Sequence, residues 1–276
     1  MTGVTCSICP HKCQLNEGQT GKCRARTNHG GLVRCDNYGL VTSLALDTIE
    51  KKPLRRFHPG SMILSTGSFG CNLRCSFCQN SEISMTDKAH AEFVTVSPHH
   101  LVEKAIALQP KGNIGIAFTY NEPLIGYEYV FDSSKLAKEY DLKTVLVTNG
   151  YICEEPLITL LPLIDAMNID LKSFSDDFYK NVGGSLEDVK RTISLSAAQC
   201  HVEITTLVIP GENDTDSEMR NLTRWIASVR PDIPLHISRF FPSYKMRDRK
   251  ATDPEVIYRL AKVARESLRH VYEGNC

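Results

Sequence analysis

Net charge is the first thing this sequence lacks. Lysine and arginine total 32, and so do aspartate and glutamate. That balance removes the electrostatic pull on which tight nucleic-acid binding depends. Long apolar runs are missing as well. No stretch approaches the roughly 18 residues of a membrane-spanning helix, and the most apolar segment, Pro156 to Ile164, is short and holds two prolines. The N-terminus, Met1 to Cys6, has neither a basic region nor an apolar core, so it does not read as a signal peptide and the cytoplasm is the expected compartment. There is no internal repeat and no low-complexity tract. What remains, 42% hydrophobic and 23% charged residues over 276 positions, fits one large soluble globular unit.

Cysteine is not scarce. There are 11, six of them within the first 71 residues. The density is below that of a disulfide scaffold, and in a reducing compartment such thiols read as metal ligands or reactive groups. Cys6, Cys9, Cys13 and Cys23 follow a C-x2-C-x3-C-x9-C spacing. Four thiolates so placed suit a closed tetrahedral zinc site or an iron–sulfur cluster, with His11 able to replace one ligand; the spacing also allows no metal at all. Cys35, Cys153, Cys200 and Cys276 are isolated and read as packing or surface thiols.

Residues 1–60 form a cysteine-rich N-terminal segment, in which 32–49 can make a small strand pair. The basic stretch Lys51, Lys52, Arg55, Arg56 and His58 reads as a solvated linker, or as a border of the binding mouth that meets an acidic partner or anionic substrate. From 61 to 276 the pattern changes to short apolar strands alternating with helices. Strands are expected at Met62–Ser65, Ile114–Thr119, Thr144–Thr148, Ala166–Asp170, Val202–Ile209 and Leu235–Phe240. Helices are expected near Pro98–Leu108, Tyr127–Tyr140, Glu154–Leu161, Leu186–Ala198, Asp216–Val229 and Pro254–Arg269, two of them opened by Ser97-Pro98 and Asp253-Pro254. Six such units predict a parallel α/β sheet, either open and doubly wound or an incomplete (β/α)6 TIM-like barrel. In both, ligands bind beyond the C-terminal ends of the strands.

Directly after the first strand comes Gly67-Ser68-Phe69-Gly70-Cys71-Asn72-Leu73-Arg74-Cys75-Ser76-Phe77-Cys78, a C-x3-C-x2-C loop. Three thiolates can wrap one compact cluster, and Gly67 and Gly70 would let the backbone approach and offer N–H groups to its sulfides. A [4Fe-4S] cluster usually takes four cysteines; three leave one iron open. A zinc site completed elsewhere, for example by His58, is the rival reading.

This loop, with the aromatic Phe77 before its last cysteine, resembles the signature of the radical S-adenosylmethionine (SAM) superfamily. The resemblance implies that Cys71, Cys75 and Cys78 hold a [4Fe-4S] cluster whose open iron binds SAM. It also implies that the SAM-derived 5′-deoxyadenosyl radical abstracts hydrogen from a substrate. Later strand ends match too. Thr119-Tyr120-Asn121-Glu122-Pro123 keeps the Glu-Pro of a family motif whose glycines are here Tyr120 and Asn121, and Glu122 would face the SAM amino group. Thr148-Asn149-Gly150 and Asp170-Leu171-Lys172 resemble glycyl-radical-enzyme activases: Asn149 would help hold SAM, Lys172 would meet its carboxylate, and Asp170 would lie near its methionyl end or a bound cation. Val147 stands where those activases often have aspartate. Val208-Ile209-Pro210-Gly211 would wall the adenine, and His236 reads as a core or supporting histidine on the sixth strand.

Cys9 to Leu15, Glu50 to Leu54, Thr119 to Pro123 and Val271 to Asn275 together resemble the AmmeMemoRadiSam system radical SAM protein, related to pyruvate formate-lyase activating enzymes. That resemblance implies Memo-type and AMMECR-type partners and a reductant such as flavodoxin or ferredoxin. Two alternatives stand beside a radical SAM enzyme of unknown substrate. One is a glycyl-radical-enzyme activase acting on a partner protein. The other is a non-enzymatic iron–sulfur or zinc regulatory protein.

Overall fold

A computed structural model describes residues 3–276. Its centre is an eight-stranded sheet in the spatial order Val271–Gly274, Leu235–Arg239, His201–Val208, Ala166–Asp170, Lys143–Thr148, Asn113–Phe118, Met62–Gly67, Ser43–Thr48. Every neighbouring pair is parallel except the last, in which Ser43–Thr48 runs antiparallel to Met62–Gly67. All six expected strands are present. Two more flank them, and these two do not pair with each other, so the barrel stays open along one side.

Helices cover the outer face: Pro98–Ala107, Tyr127–Glu139, Glu154–Leu160, Leu186–Ala197, Asp216–Val229 and Pro254–Ala264, with a shorter Asp176–Val182 that the periodicity did not reveal. Their starts are chemically closed. Ser97 Oγ accepts from the His100 N–H ahead of Pro98, and an Asp253 oxygen accepts from Glu255 N–H ahead of Pro254. Ser185 and Thr215 cap Leu186–Ala197 and Asp216–Val229 in the same way. The last helix ends at Ala264, short of the expected Arg269, because the chain must turn to enter the strand Val271–Gly274.

Alternation along the strands sorts the residues. Ile116, Leu146, Ile204 and Ile237 join the large apolar core, while Val147, Asp170, Thr205, Leu207, His236 and Ser238 line the barrel cavity. The basic stretch is not a solvated linker. Ile49 and Leu54 are buried against Ile63, Ala117, Val145 and Ala166. Pro53 O accepts from Asn168 Nδ2 at 2.9 Å, and the Arg55 and Arg56 N–H groups donate to the Glu203 carboxylate at 3.0 and 2.7 Å. This segment therefore plugs the N-terminal half of the barrel interior and forms part of the cavity floor.

Two-stranded ribbons, Val4–Thr5 with Gln14–Leu15 and Arg26–His29 with Leu32–Cys35, build the N-terminal region. Arg26, buried, holds it to the barrel: its guanidinium donates to both Glu128 oxygens at 2.7 and 2.6 Å and to Ile125 O at 3.0 Å.

Candidate active site

One cavity of about 940 Å³ occupies the open barrel. Cys71, Cys75, Cys78 and Phe77 form part of its wall, together with Glu122, Asn149, Asp170, Lys172 and His236. Nine residues expected from the sequence thus meet in one place, although they come from five separate segments of the chain.

The cysteine loop is held by backbone contacts. Cys71 N–H donates to Cys23 O at 3.2 Å, and Arg74 N–H to Val182 O at 2.8 Å. Asn37 and Asn121 side chains donate to Phe69 O at 2.9 and 3.1 Å, and Asn121 also reaches Gly70 O at 3.1 Å. Gly70 sits at φ +85°, and a Cβ there would lie 2.5 Å from Cys23 O. Only glycine fits between the loop and the N-terminal region. One expectation fails at this residue: the Gly70 N–H is spent on Ile83 O at 2.8 Å and is not offered to a cluster.

Cys75 is buried, and Cys71 and Cys78 are partly exposed. Burial pushes the Cys71 thiol well above its ordinary range, and the nearby Glu122 and Cys75 add to this. Burial likewise raises Cys75 to about 11, against the pull of Lys172. Such thiols stay protonated until a cation replaces the proton. Asn149 Nδ2 lies 3.6 Å from Cys71 Sγ and 2.9 Å from Asn72 Oδ1, and Asn72 in turn donates to Tyr151 O at 2.7 Å.

Glu122 is buried and accepts three hydrogen bonds: from Leu124 N–H at 2.9 Å, Thr148 Oγ1 at 2.7 Å and Asn149 N–H at 2.8 Å. Burial outweighs these donors and raises the carboxyl to about 7. Lys172 Nζ pairs with Asp170 Oδ2 at 2.8 Å, and its own N–H donates to Tyr179 OH at 3.1 Å. Asp170 is the strongest cause opposing the effect of burial on Lys172, and it keeps the ammonium charged.

His236 is buried on the cavity wall, its ring stacked on Tyr272 at 5.3 Å and its Nε2 2.6 Å from Glu203 Oε2. Three nominated residues do not reach the cavity. Val208 alternates with Leu207 and packs into the core behind the sheet, while Leu207 takes the cavity position. Pro210 and Gly211 lie in the turn above, where Pro210 O accepts from Arg249 and Gly211 is surface-exposed at φ +75°. Of the 207–211 stretch, Leu207 is the residue that faces the cavity. His58 is exposed, does not line the cavity, and is no partner for the loop thiols.

Among the described residues, no three His, Cys, Asp or Glu side chains converge on a point that would hold a single metal ion. This holds for Cys71, Cys75 and Cys78 as much as for the N-terminal cysteines, of which Cys9 lies within electrostatic reach of Cys6 and Cys23, and Cys23 of Cys6. Cys6 packs with Ile8, Leu15 and Cys13, while Cys23 packs with Ala25, Phe69 and Ile125. Sequence reasoning missed Asn72, Asn121, Glu203 and the pair Asp47 and Tyr120 that holds Lys52. Isolated polar residues carry no spacing signal; only the Tyr120-Asn121 replacement of the usual glycines marked one of these places.

The family model of the radical SAM superfamily matches residues 66–223. The uncharacterized protein MJ0808 of Methanocaldococcus jannaschii is 40% identical over 276 residues, spanning 99% of this chain and 81% of its own. A pyruvate formate-lyase-activating enzyme of Clostridium pasteurianum is 28% identical over 72% of this chain and 88% of its own. Among solved structures, Streptococcus suis SuiB bound to S-adenosylmethionine superposes with a TM-score of 0.60 at 13% identity, over 78% of this chain and 52% of that one. No helix among the described residues is long and apolar enough to cross a membrane. The three-cysteine loop lies within the matched segment, at the C-terminal edge of an open parallel barrel, and the chain belongs to the radical SAM superfamily, as an enzyme whose substrate is unknown.

Proposed function

We propose that Cys71, Cys75 and Cys78 hold three irons of a [4Fe-4S] cluster and that Glu122, Asn149, Asp170 and Lys172 hold SAM at the fourth. The observation that carries this is the convergence of these side chains on one cavity wall. The donor chemistry fits: three soft thiols for iron, a carboxylate for the SAM ammonium, and a buried ammonium for the SAM carboxylate. When bound, the cluster supplies the electron that cleaves SAM to the 5′-deoxyadenosyl radical, which abstracts hydrogen from the substrate. The chain's own part is positional. Asn149 bridges Cys71 and Asn72, Asp170 fixes the Lys172 ammonium, and Phe77 packs on Phe178 at 5.9 Å behind the loop. Anaerobic reconstitution followed by an assay for 5′-deoxyadenosine tests the assignment; cluster-loaded protein that makes none in the presence of reductant refutes it.

A second reading is favoured by the similarity to the activating enzyme of C. pasteurianum: the radical is passed to a glycyl residue of a partner protein, entering along the unpaired edges of the barrel. Anaerobic mixing with a candidate partner should then give a glycyl doublet in the EPR spectrum. The segments Cys9–Leu15, Glu50–Leu54 and Val271–Asn275 support placing the chain in the AmmeMemoRadiSam subgroup, with Memo-type and AMMECR-type partners and a flavodoxin or ferredoxin as reductant. Co-purification of those proteins with the tagged chain tests that placement.

A further inference from the structure

The cavity has a second charged end that none of the proposed cofactor contacts uses. Lys52 is only 3% exposed, yet it lines the cavity. Its Nζ donates to Asp47 Oδ2 at 2.8 Å and sits 4.7 Å above the centre of the Tyr120 ring. Asp47 Oδ2 also accepts from Tyr120 OH at 2.7 Å. Tyr120 reaches this place from a backbone held at φ +71°, a conformation costly for any residue but glycine. An ammonium has three N–H donors. Asp47 takes one and the ring face shields another, and no further acceptor for Lys52 is found among the described residues. Burial lowers the Lys52 pKa and Asp47 opposes this.

Around it the cations outnumber the acids, with Lys51, Lys52 and Arg55 against Asp47 and Glu50. Lys51 and Arg55 line the same rim. Lys51 reaches Asp47 only at 3.4 Å, and the exposed Arg55 guanidinium has no carboxylate partner among the described residues. The local acids are already engaged: Asp47 by Lys52 and Tyr120, and Glu50 by the Gly60 N–H at 2.7 Å. A desolvated ammonium with a donor to spare, beside two more cations, suits a small oxyanion that enters the cavity. A flat protein surface cannot reach a side chain buried to this degree.

We propose that Lys52, with Lys51 and Arg55, binds an anionic oxygen group of the substrate, a carboxylate or phosphate, opposite the cysteine loop. The Asp47–Tyr120 pair positions the ammonium, and the anion anchors the substrate so that the rest of it extends toward the loop. This deepens the radical SAM reading and rests on it for what lies at the other end.

The test uses the reconstituted full-length chain with inorganic phosphate and, separately, succinate as probes, by calorimetry at fixed ionic strength. At least one probe should bind, and Lys52→Met should weaken it at least about tenfold. Lys262→Met, on the helix Pro254–Ala264, should leave binding unchanged. Arg55→Gln, at the surface, should weaken binding about threefold; if Lys52→Met fails to fold, unchanged affinity in Arg55→Gln overturns the assignment by itself. Failure of both probes to bind the parent protein also overturns it. Saturating SAM is the sharpest arm. Probe binding should survive it, because the two occupy opposite ends, whereas competition would assign Lys52 to the SAM carboxylate and overturn the proposal. SAM binding is scored in the same samples. A protein that binds probe through Lys52 but not SAM sinks the cofactor reading alone; one that binds SAM but holds the probes independently of Lys52 sinks this one alone.

Discussion

Glu203 Oε2 lies 2.6 Å from His236 Nε2, and this contact ties the floor of the barrel to its wall. The same carboxylate accepts from His201 at 2.9 Å and from the Arg55 and Arg56 N–H groups at 3.0 and 2.7 Å. Burial alone would raise its pKa, but the four donors outweigh burial and hold it at about 2, below its ordinary 4.5. A depressed carboxyl stabilises the fold fully above its unfolded pKa and loses that contribution as pH falls through the folded one. Stability should therefore drop by about 3 kcal/mol between about pH 4.5 and 2 on this account. Glu203→Gln should flatten that limb and cost about 3 kcal/mol at pH 6, read from urea midpoints. An unchanged acid limb in the variant would show that the plug is not locked by this group.

Cys75 is the middle thiol of the loop and its most buried member. Cys75→Ala should abolish 5′-deoxyadenosine formation while leaving circular dichroism and solubility intact, since the loop backbone is held by Cys23 O and Val182 O and not by that thiol. Iron counting on the parent protein adds a second reading. About four irons per chain would mean a single cluster, and about twice that would place another on the N-terminal cysteines. Full activity in Cys75→Ala would remove the cluster from this loop.

The order of strands and helices was legible because period-2 and period-3.6 patterns survive in the six expected strands and the six longer helices, though not in the short Asp176–Val182. The edge strands were not. Ser43–Thr48 is largely open to solvent on both faces, and Val271–Gly274 has four residues, too few for a period to show. The cysteine loop could be read from spacing alone. At Val208 the phase was not legible: the motif marks the segment, but not which of two alternating residues, Leu207 or Val208, faces the cavity. Lys52 was read within a stretch that is either a solvated linker or a border of the binding mouth, because lysine is usually exposed; its burial depends on Asp47 and Tyr120, 5 and 68 positions away.

Gly70 offers a test of the joint between the N-terminal region and the loop. A methyl group there would meet Cys23 O at 2.5 Å and Ile125 Cδ1 at 3.0 Å, at a φ that L-residues avoid. Neither a backbone carbonyl in the core nor the loop can yield freely. Gly70→Ala should cost about 2 kcal/mol or more and lower the iron retained after reconstitution. Gly30→Ala, at a positive φ but with nothing within 4 Å, is the control: it carries the backbone penalty without the clash and should retain iron normally.

Glu122 makes the SAM assignment testable through protons. Its carboxyl stands at about 7 in the folded protein against 4.5 ordinarily, because burial outweighs the Asn149, Thr148 and Leu124 donors. Between those values the folded protein holds a proton that the unfolded chain has released, so this group withdraws stability as pH rises through the window. A ligand ammonium reverses the preference, since it pairs only with the carboxylate. SAM binding should therefore expel a proton near neutrality and tighten about eightfold between about pH 6 and 7.5. Above about pH 8 it should weaken again as the ligand's α-amino group loses its own charge. Calorimetry in two buffers of different ionisation enthalpy reads the released proton directly. Glu122→Gln should bind weakly with no proton release and a flat profile up to about pH 7.5. A parent protein that releases no proton, or a variant that keeps the parent's pH slope, would separate Glu122 from the SAM ammonium and leave its three hydrogen bonds as a purely structural tie between Pro123 and Asn149.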